Sequence, residues 1–241
     1  MKLIFKCCLA LLFTGVAATF SAAATLPVLE GLIEPSELVD FSSQVPGIIE
    51  ELTVERGDLV KQGQVLARLK SGVEQAAVNL AQARVEFGQR KALRNEELYK
   101  KQLISQHEKD ELETEIQLAQ LELAEAEERL KLRTIRSTIN GVVVERLGAA
   151  GEYVGEEPFL TVARLHPLHV EVVVPVMYLG MIVKGRTAQV ILEEPLGESY
   201  RAKIVIVDQL VDAASGTFGV RLELSNAKLK LPAGLKCQVV F

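Results

Sequence analysis

The sequence has no tryptophan, three histidines, three cysteines and only 5% aromatic residues. Few aromatic rings leave few surfaces on which nucleic-acid bases could stack, and a net charge of -5 provides no basic surface for phosphates. Scarce histidine and cysteine also leave little material for a metal site or a catalytic nucleophile. The 241 residues are 49% hydrophobic and 24% charged, which is typical of folded protein. We therefore expect a folded chain that does not bind nucleic acid.

One pair of histidines has a spacing that suggests a metal site. His166 and His169 are three residues apart, and on a strand such residues point to opposite faces, so they form a poor chelate. No serine lies in a nucleophile-elbow context. We predict no metal, no cofactor and no enzymatic activity, and we keep a metal-binding periplasmic protein as a minor alternative.

The N-terminus has the pattern of an export signal. Lys2 and Lys6 precede an apolar run over residues 7–20, and the alanines at 22–24 resemble a cleavage site. The run is shorter than the roughly 17–25 residues that a membrane-spanning helix needs, which favours a cleaved signal over a retained anchor. Cleavage after Ala24 would leave Cys237 as the one cysteine, and its apolar neighbours indicate a buried, inert thiol.

A repeat with an offset of 94 residues organises the next part of the chain. Residues 46–66 align without a gap with residues 140–160, and both halves contain β-branched and aliphatic runs punctuated by glycines. The identical pairs are Gly47/Gly141, Glu51/Glu145, Gly57/Gly151, Val60/Val154 and Leu66/Leu160. We predict two equivalent β half-units, with positive φ at Gly57 and Gly151.

Helical periodicity separates the two halves. The second helix is predicted to have an unbroken heptad seam, formed by Leu112, Ile116, Ala119, Leu123, Ala126 and Leu130. The first is predicted to face it with Val73, Ala76, Leu80, Ala83 and Phe87, and to be weakened at Gly88. Ser105 and Glu108 form a capping box after a turn at residues 101–104. This pattern predicts an antiparallel coiled-coil hairpin about 45 Å long.

The rest of the chain reads as β structure. The predicted strands of this part are residues 28–33, 168–174, 187–192, 202–207, 218–224 and 236–241, with one short helix at 175–182. Six short strands favour a small closed barrel, which leaves no exposed edges. The predicted fold class is mainly β with an α-helical hairpin.

This order of elements resembles the periplasmic adaptor subunits, or membrane fusion proteins of the HlyD/RND type, of tripartite efflux pumps. Residues 47–66 and 139–143 resemble the two halves of a lipoyl-like (barrel-sandwich hybrid) domain, and residues 211–234 resemble the family's barrel ending. The predicted divisions are a signal peptide at 1–24, a first barrel strand and linker at 25–40, lipoyl-like halves at 41–70 and 135–165, the hairpin at 71–134 and the barrel at 166–241.

The resemblance implies an adaptor in the periplasm that links an inner-membrane transporter of RND or ABC type to a TolC-class outer-membrane channel. It implies a ring of six subunits in the assembled pump, and docking on the channel through Arg94, Leu98 and Ser105. Gly47, Gly57, Gly63, Gly141 and Gly151 are expected to be structural. Family members usually continue into a membrane-proximal domain beyond the barrel, whereas this sequence ends at Phe241, which leaves the contact with the transporter open.

Two other functions remain open. The first is an adaptor of an ATP-driven export system, because the sequence does not show whether the transporter partner is driven by protons or by ATP. A lipoyl or biotinyl carrier is a weaker alternative, because the predicted hairpin occupies the place where a carrier has its modified lysine.

Overall fold

The computed structural model describes residues 28–194 and 197–241, so the predicted signal at 1–24 lies outside the described residues. The strands are β1 (Val28–Phe41), β2 (Gly47–Leu52), β3 (Leu59–Val60), β4 (Val65–Leu69), β5 (Thr134–Arg136), β6 (Gly141–Arg146), β7 (Tyr153–Val154), β8 (Leu160–Pro175), β9 (Thr187–Leu192), β10 (Ser199–Val207), β11 (Thr217–Leu224) and β12 (Lys236–Val240). Two helices, α1 (Gly72–Lys100) and α2 (Gln106–Lys131), lie between β4 and β5.

The two halves of the repeat exchange strands. β2 pairs with β7 and β3 pairs with β6, so that each half completes the other. Gly57 N–H donates to the carbonyl of Val143 at 2.8 Å, and Gly151 N–H donates to the carbonyl of Ile49 at 2.8 Å, which are equivalent bonds at the repeat offset. Both glycines have positive φ, +96° and +93°. The repeat is therefore one interlocked pair of half-units around a shared apolar core.

Six strands close into a separate barrel. Their order is β1-β12-β9-β10-β11-β8, and β1 also pairs with β8, which completes the ring. Inward-facing side chains alternate along these strands, as Val170, Val172 and Val174 do on β8, and they form the barrel's own core. The closed barrel predicted from the sequence is confirmed.

Strand β8 differs from the prediction. The sequence predicted a strand at residues 168–174, whereas the strand runs from Leu160 to Pro175. It continues because β1 pairs with it along most of its length, with a register shift between Pro35 and Glu37. The predicted divisions after residues 40 and 165 thus fall inside β1 and β8, which pass from the interlocked halves into the barrel.

The short helix predicted at 175–182 was also wrong. Only a single 3₁₀ turn forms, at Val176–Tyr178. Gly180 follows with a φ of +88°, a left-handed conformation that a right-handed helix cannot contain. The connection from β8 to β9 is therefore mostly a non-helical loop.

The two helices form an antiparallel hairpin. Leu112 of α2 is buried and the other five predicted seam positions are half-buried, so α2 faces α1 with the predicted residues. Among the described residues, neither helix offers an apolar stretch sufficient to span a membrane.

The prediction for α1 was wrong. Val73, Leu80 and Phe87 are 81%, 58% and 55% exposed. The side of α1 that faces α2 is instead formed by Val78, Ala81, Val85, Gly88 and Ala92. A Cβ on Gly88 would lie 2.9 Å from Cγ1 of Ile116, so this glycine accommodates a seam side chain of the opposite helix. α1 carries two apolar stripes, and the one with smaller residues is buried because it permits close helix packing.

Candidate docking site at the hairpin tip

The tip of the hairpin is a short and well-bonded connection. α1 ends at Lys100, and Leu103 N–H donates back to the carbonyl of Leu98 at 2.9 Å. Across the turn, Tyr99 Oη donates to Gln106 Oε1 at 2.6 Å, and the Nζ of Lys109 lies 5.1 Å from the centre of the Tyr99 ring. The tip therefore presents a defined surface.

Arg94 and Leu98 lie together near this tip. They are four residues apart in α1, so their side chains share one face of the helix. Arg94 is exposed and forms no salt bridge within the part of the chain that the structure describes, whereas Arg90, one turn earlier, lies 3.7 Å from Glu86. An exposed guanidinium beside a partly exposed leucine can bind carbonyl or carboxylate oxygens next to an apolar surface.

Ser105 occupies the N-cap of α2. Its Oγ accepts a hydrogen bond from Glu108 N–H at 3.2 Å, and its N–H donates to Glu108 Oε2 at 2.7 Å. The bond from the Ser105 backbone N–H, and then the one that the Ser105 hydroxyl donates to the same carboxylate, lower the pKa of Glu108. The hydroxyl also donates to Glu108 Oε2 at 2.9 Å, so its single proton is already used. The structure thus brings Arg94 and Leu98 to one face and gives Ser105 a capping role.

One exposed side chain at the tip was missed from the sequence. Leu103, in the connection between the helices, is 67% exposed. Leu103 and Ile104 form a short apolar pair between polar residues and belong to no periodic pattern, so which of the two is exposed depends on how the turn closes. This pair, between Gln102 and Ser105, was the signal that the sequence offered.

The base of the hairpin is fixed by a junction with β2. Arg133 Nη2 donates to Glu74 Oε1 at 2.6 Å, and Arg133 Nη1 donates to the carbonyl of Pro46 at 2.9 Å. A Cβ on Gly47 would lie 2.6 Å from Arg133 Nη1, so a larger residue here would displace the guanidinium. The junction couples the direction of the hairpin to the interlocked halves.

The remaining predicted glycines lie at turns and close approaches. Gly63 lies in the turn between β3 and β4, where its N–H donates to the carbonyl of Ser137 at 2.8 Å. Gly141 starts β6, and a Cβ there would collide with the carbonyl oxygen of Ala163 on β8.

Metal-ligating residues do not cluster in the described part of the chain: no three His, Cys, Asp or Glu side chains there are placed to hold an ion. Nδ1 of His166 accepts from Asn226 N–H at 3.1 Å, while His169 is half-buried on β8. Cys237 is buried in the barrel core, and burial, with a smaller contribution from Glu193, raises its pKa to about 11.

Solved structures of other proteins share this architecture. A chimera of MacA with the α-hairpin domain of Pseudomonas aeruginosa MexA has a TM-score of 0.78 at 23% identity, covering 88% of this chain and 79% of the chimera. The membrane fusion protein Spr0693 of Streptococcus pneumoniae R6 has a TM-score of 0.74 at 16% identity, covering 88% of this chain and 98% of that one. The chain has the same fold as these proteins, one of which is a membrane fusion protein.

The family can be stated more narrowly. Residues 37–163, more than half of the chain, match the CzcB-like barrel-sandwich hybrid domain, and the chain belongs to this family. Nodulation protein NolF of Rhizobium meliloti (strain 1021) is 24% identical over 220 residues, which are 85% of this chain and 60% of NolF. The chain thus spans less than two thirds of the length of this relative.

Proposed function

We propose that this chain is a non-catalytic periplasmic adaptor, exported by a signal cleaved after Ala24. It links an inner-membrane transporter to a TolC-class outer-membrane channel for efflux of small molecules. The observation that carries the proposal is the helical hairpin between β4 and β5, inserted into an interlocked pair of lipoyl-like halves. A hairpin of this length extends about 40 Å from its base, and it separates the two strands that a carrier domain joins by a tight turn.

The tip supports docking on another protein. Arg94 supplies a charged fork of donors without an intramolecular ion pair in the described structure, and Leu98 and Leu103 supply apolar surface. These groups complement the carbonyls and apolar side chains at the ends of channel helices. Ser105 contributes mainly by holding the turn in place.

A lateral face of the hairpin supports self-association. Val73 and Leu80 of α1 line a groove against Ala126 of α2, and Phe87 lines its continuation with Leu118. A soluble hairpin that exposes several large apolar residues along one side gains stability when a second copy covers them. We propose a ring of six copies in the assembled pump, in which neighbouring hairpins pack along this face.

An export assay in living cells tests the proposal. Arg94→Asp and Leu98→Asp are each expected to abolish export with an unchanged melting temperature, while Ser105→Ala has a milder effect. Arg90→Asp is the matched control, because it makes the same charge change one turn further from the tip. Normal export by a well-expressed Arg94→Asp protein would overturn docking through this surface.

The inner-membrane partner is identified by crosslinking and pull-down from the same cells. Recovery of an RND transporter agrees with the proposal, whereas recovery of an ABC transporter supports an ATP-driven export system. A lipoyl or biotinyl adduct in the mass spectrum of the purified protein would instead favour a carrier.

A further inference from the structure

An apolar loop projects from one end of the barrel. Between β8 and β9, residues 176–183 include five exposed large side chains, and Met177 is 71% exposed. The five are Val176, Met177, Leu179, Met181 and Val183. Soluble proteins rarely concentrate so many exposed apolar side chains in one short segment unless the segment contacts a partner or a membrane.

The apolar loop is held in a fixed shape. Val176 N–H donates to the carbonyl of Gly216 at 2.9 Å, and Met181 N–H donates to the carbonyl of Tyr178 at 3.0 Å. Ile182, within the loop, is buried in the barrel core, and Tyr178 packs against the same core. Because two side chains anchor the loop while five point outward, the exposure is a property of the folded barrel.

The charge around the loop is positive on the β9 side. Lys184 and Arg186 follow the loop, and no carboxylate occurs from residue 176 to residue 192. Neither cation forms a salt bridge within the described ranges, 28–194 and 197–241. The acidic side of this barrel end is Asp208 and Asp212, and Asp212 Oδ1 accepts from Ala214 N–H at 2.8 Å. Two cations beside exposed apolar side chains suit a surface with anionic headgroups.

The position of Val28 shows that the apolar loop lies at the end of the barrel where the chain enters. Val28 pairs with Val240, Gly31 pairs with Val172, and Thr217 pairs with Pro175, so the chain enters the barrel at the same end as the apolar loop. The apolar run at residues 7–20 precedes Val28 by a spacer of seven residues, 21–27. Such a spacer reaches at most about 25 Å. The proposed signal, while it is in the bilayer, would keep this end of the barrel within that distance of the lipid.

We propose that the apolar loop, residues 176–183, contacts the surface of the lipid bilayer directly, with Lys184 and Arg186 on the anionic headgroups. This contact is separate from the proposed docking of the hairpin tip, which lies on a different element. It would hold the barrel at the membrane after the signal is removed.

Flotation with protein-free vesicles tests this contact on the mature, exported chain. We expect it to float with vesicles of phosphatidylethanolamine and phosphatidylglycerol. Met177→Ser/Leu179→Ser/Met181→Ser should reduce binding by about tenfold or more, because each side chain loses its apolar burial. Lys184→Gln/Arg186→Gln should reduce binding to these vesicles but not to phosphatidylcholine vesicles.

The matched control is Leu121→Ser/Leu147→Ser, which removes two exposed apolar side chains far from the loop and the tip and should leave flotation unchanged. Melting curves verify that each variant is folded. The proposal is overturned if the wild-type chain does not float, if the triple variant floats as well as wild type, or if flotation requires a transporter reconstituted in the vesicles. None of these results bears on the tip, because the export assay of Arg94 variants is independent of vesicle binding.

Discussion

Arg133, just after the second helix, and Glu74, in the first turn of the first helix, form an ion pair at 2.6 Å whose side chains are only 20% and 18% exposed. The pair closes the base of the hairpin, and the same guanidinium holds the carbonyl of Pro46 before β2. Because the hairpin is long, a small change in its angle at the base moves the tip by a large distance. The pair therefore determines where the proposed docking surface lies.

Glu74→Gln is expected to lower the free energy of unfolding at pH 7 by about 1–3 kcal/mol, because it removes one charge of a largely buried pair. The pKa of Glu74 is lowered, first by a hydrogen bond from its own backbone and then by the Arg133 guanidinium. A lowered pKa stabilises the fold above the ordinary carboxyl value of 4.5, and this stabilisation is lost as the pH falls through the folded value.

The difference between wild type and Glu74→Gln should therefore shrink below about pH 4 in urea titrations followed by circular dichroism. Glu50→Gln, at an exposed carboxylate, is the control and should change stability little at any pH. A difference that stays constant from neutral to acid pH would show that the carboxylate charge does not stabilise the junction.

The helical seam is tested at Leu123. Leu123→Asp places a charge between the helices and should unfold the hairpin while the β regions remain folded, because their cores are separate. Leu123→Ala should cost about 2 kcal/mol, since the site is only half-buried and the hairpin can relax. Leu121→Asp, on the exposed side of α2, is the control. Unchanged helix content in Leu123→Asp would contradict the assignment of the seam.

Gly88 provides a second test of the helix contact. An exposed helical Gly→Ala substitution normally stabilises by about 1 kcal/mol. At Gly88 the new methyl group would press on Cγ1 of Ile116, so we expect no gain or a loss in thermal stability. Gly72→Ala, at the start of the same helix and facing open space, is the control and should not be destabilising. A stabilising Gly88→Ala would mean that the helices lie further apart.

The cysteines report on both the barrel and the signal. Cys237 is 1% exposed and burial raises its pKa to about 11, so a maleimide should not label it at pH 8 until the barrel unfolds. The denatured exported protein should then contain one thiol, because cleavage after Ala24 removes Cys7 and Cys8. Three thiols in the exported protein would show that the N-terminal segment is retained.

The sequence predicted the buried face of α2 correctly and that of α1 wrongly, because the two helices differ in their number of apolar stripes. α2 has one continuous stripe, and its Leu112 and Ile116 lie where the spacing predicts. α1 has two stripes, and periodicity alone selects the one with larger residues, Leu80 and Phe87. Which stripe is buried depends on how closely the two helices approach, and this distance is set by the fit of Ile116 over Gly88. Neither helix encodes that fit separately.

The repeat was visible because both halves need the same turn. Gly57 and Gly151 take the same left-handed conformation, so the sequence retains glycine at both. The exchange of strands between the halves, and the continuity of β8 through Pro167, depend on long-range pairing that leaves no local pattern. At the tip, the capping box of Ser105 was predictable from local spacing, whereas the exposed Leu103 was not.

The account depends most on the hairpin tip meeting an outer-membrane channel. A photo-crosslinking amino acid at position 98, introduced into the full chain and activated in intact cells, tests this contact directly, with position 147 in the interlocked halves as the control. We predict an adduct between position 98 and an outer-membrane channel protein that is reduced by Arg94→Asp, and no such adduct from position 147. Adducts from position 98 with inner-membrane proteins alone, in cells that contain normal amounts of the folded chain, would contradict the account.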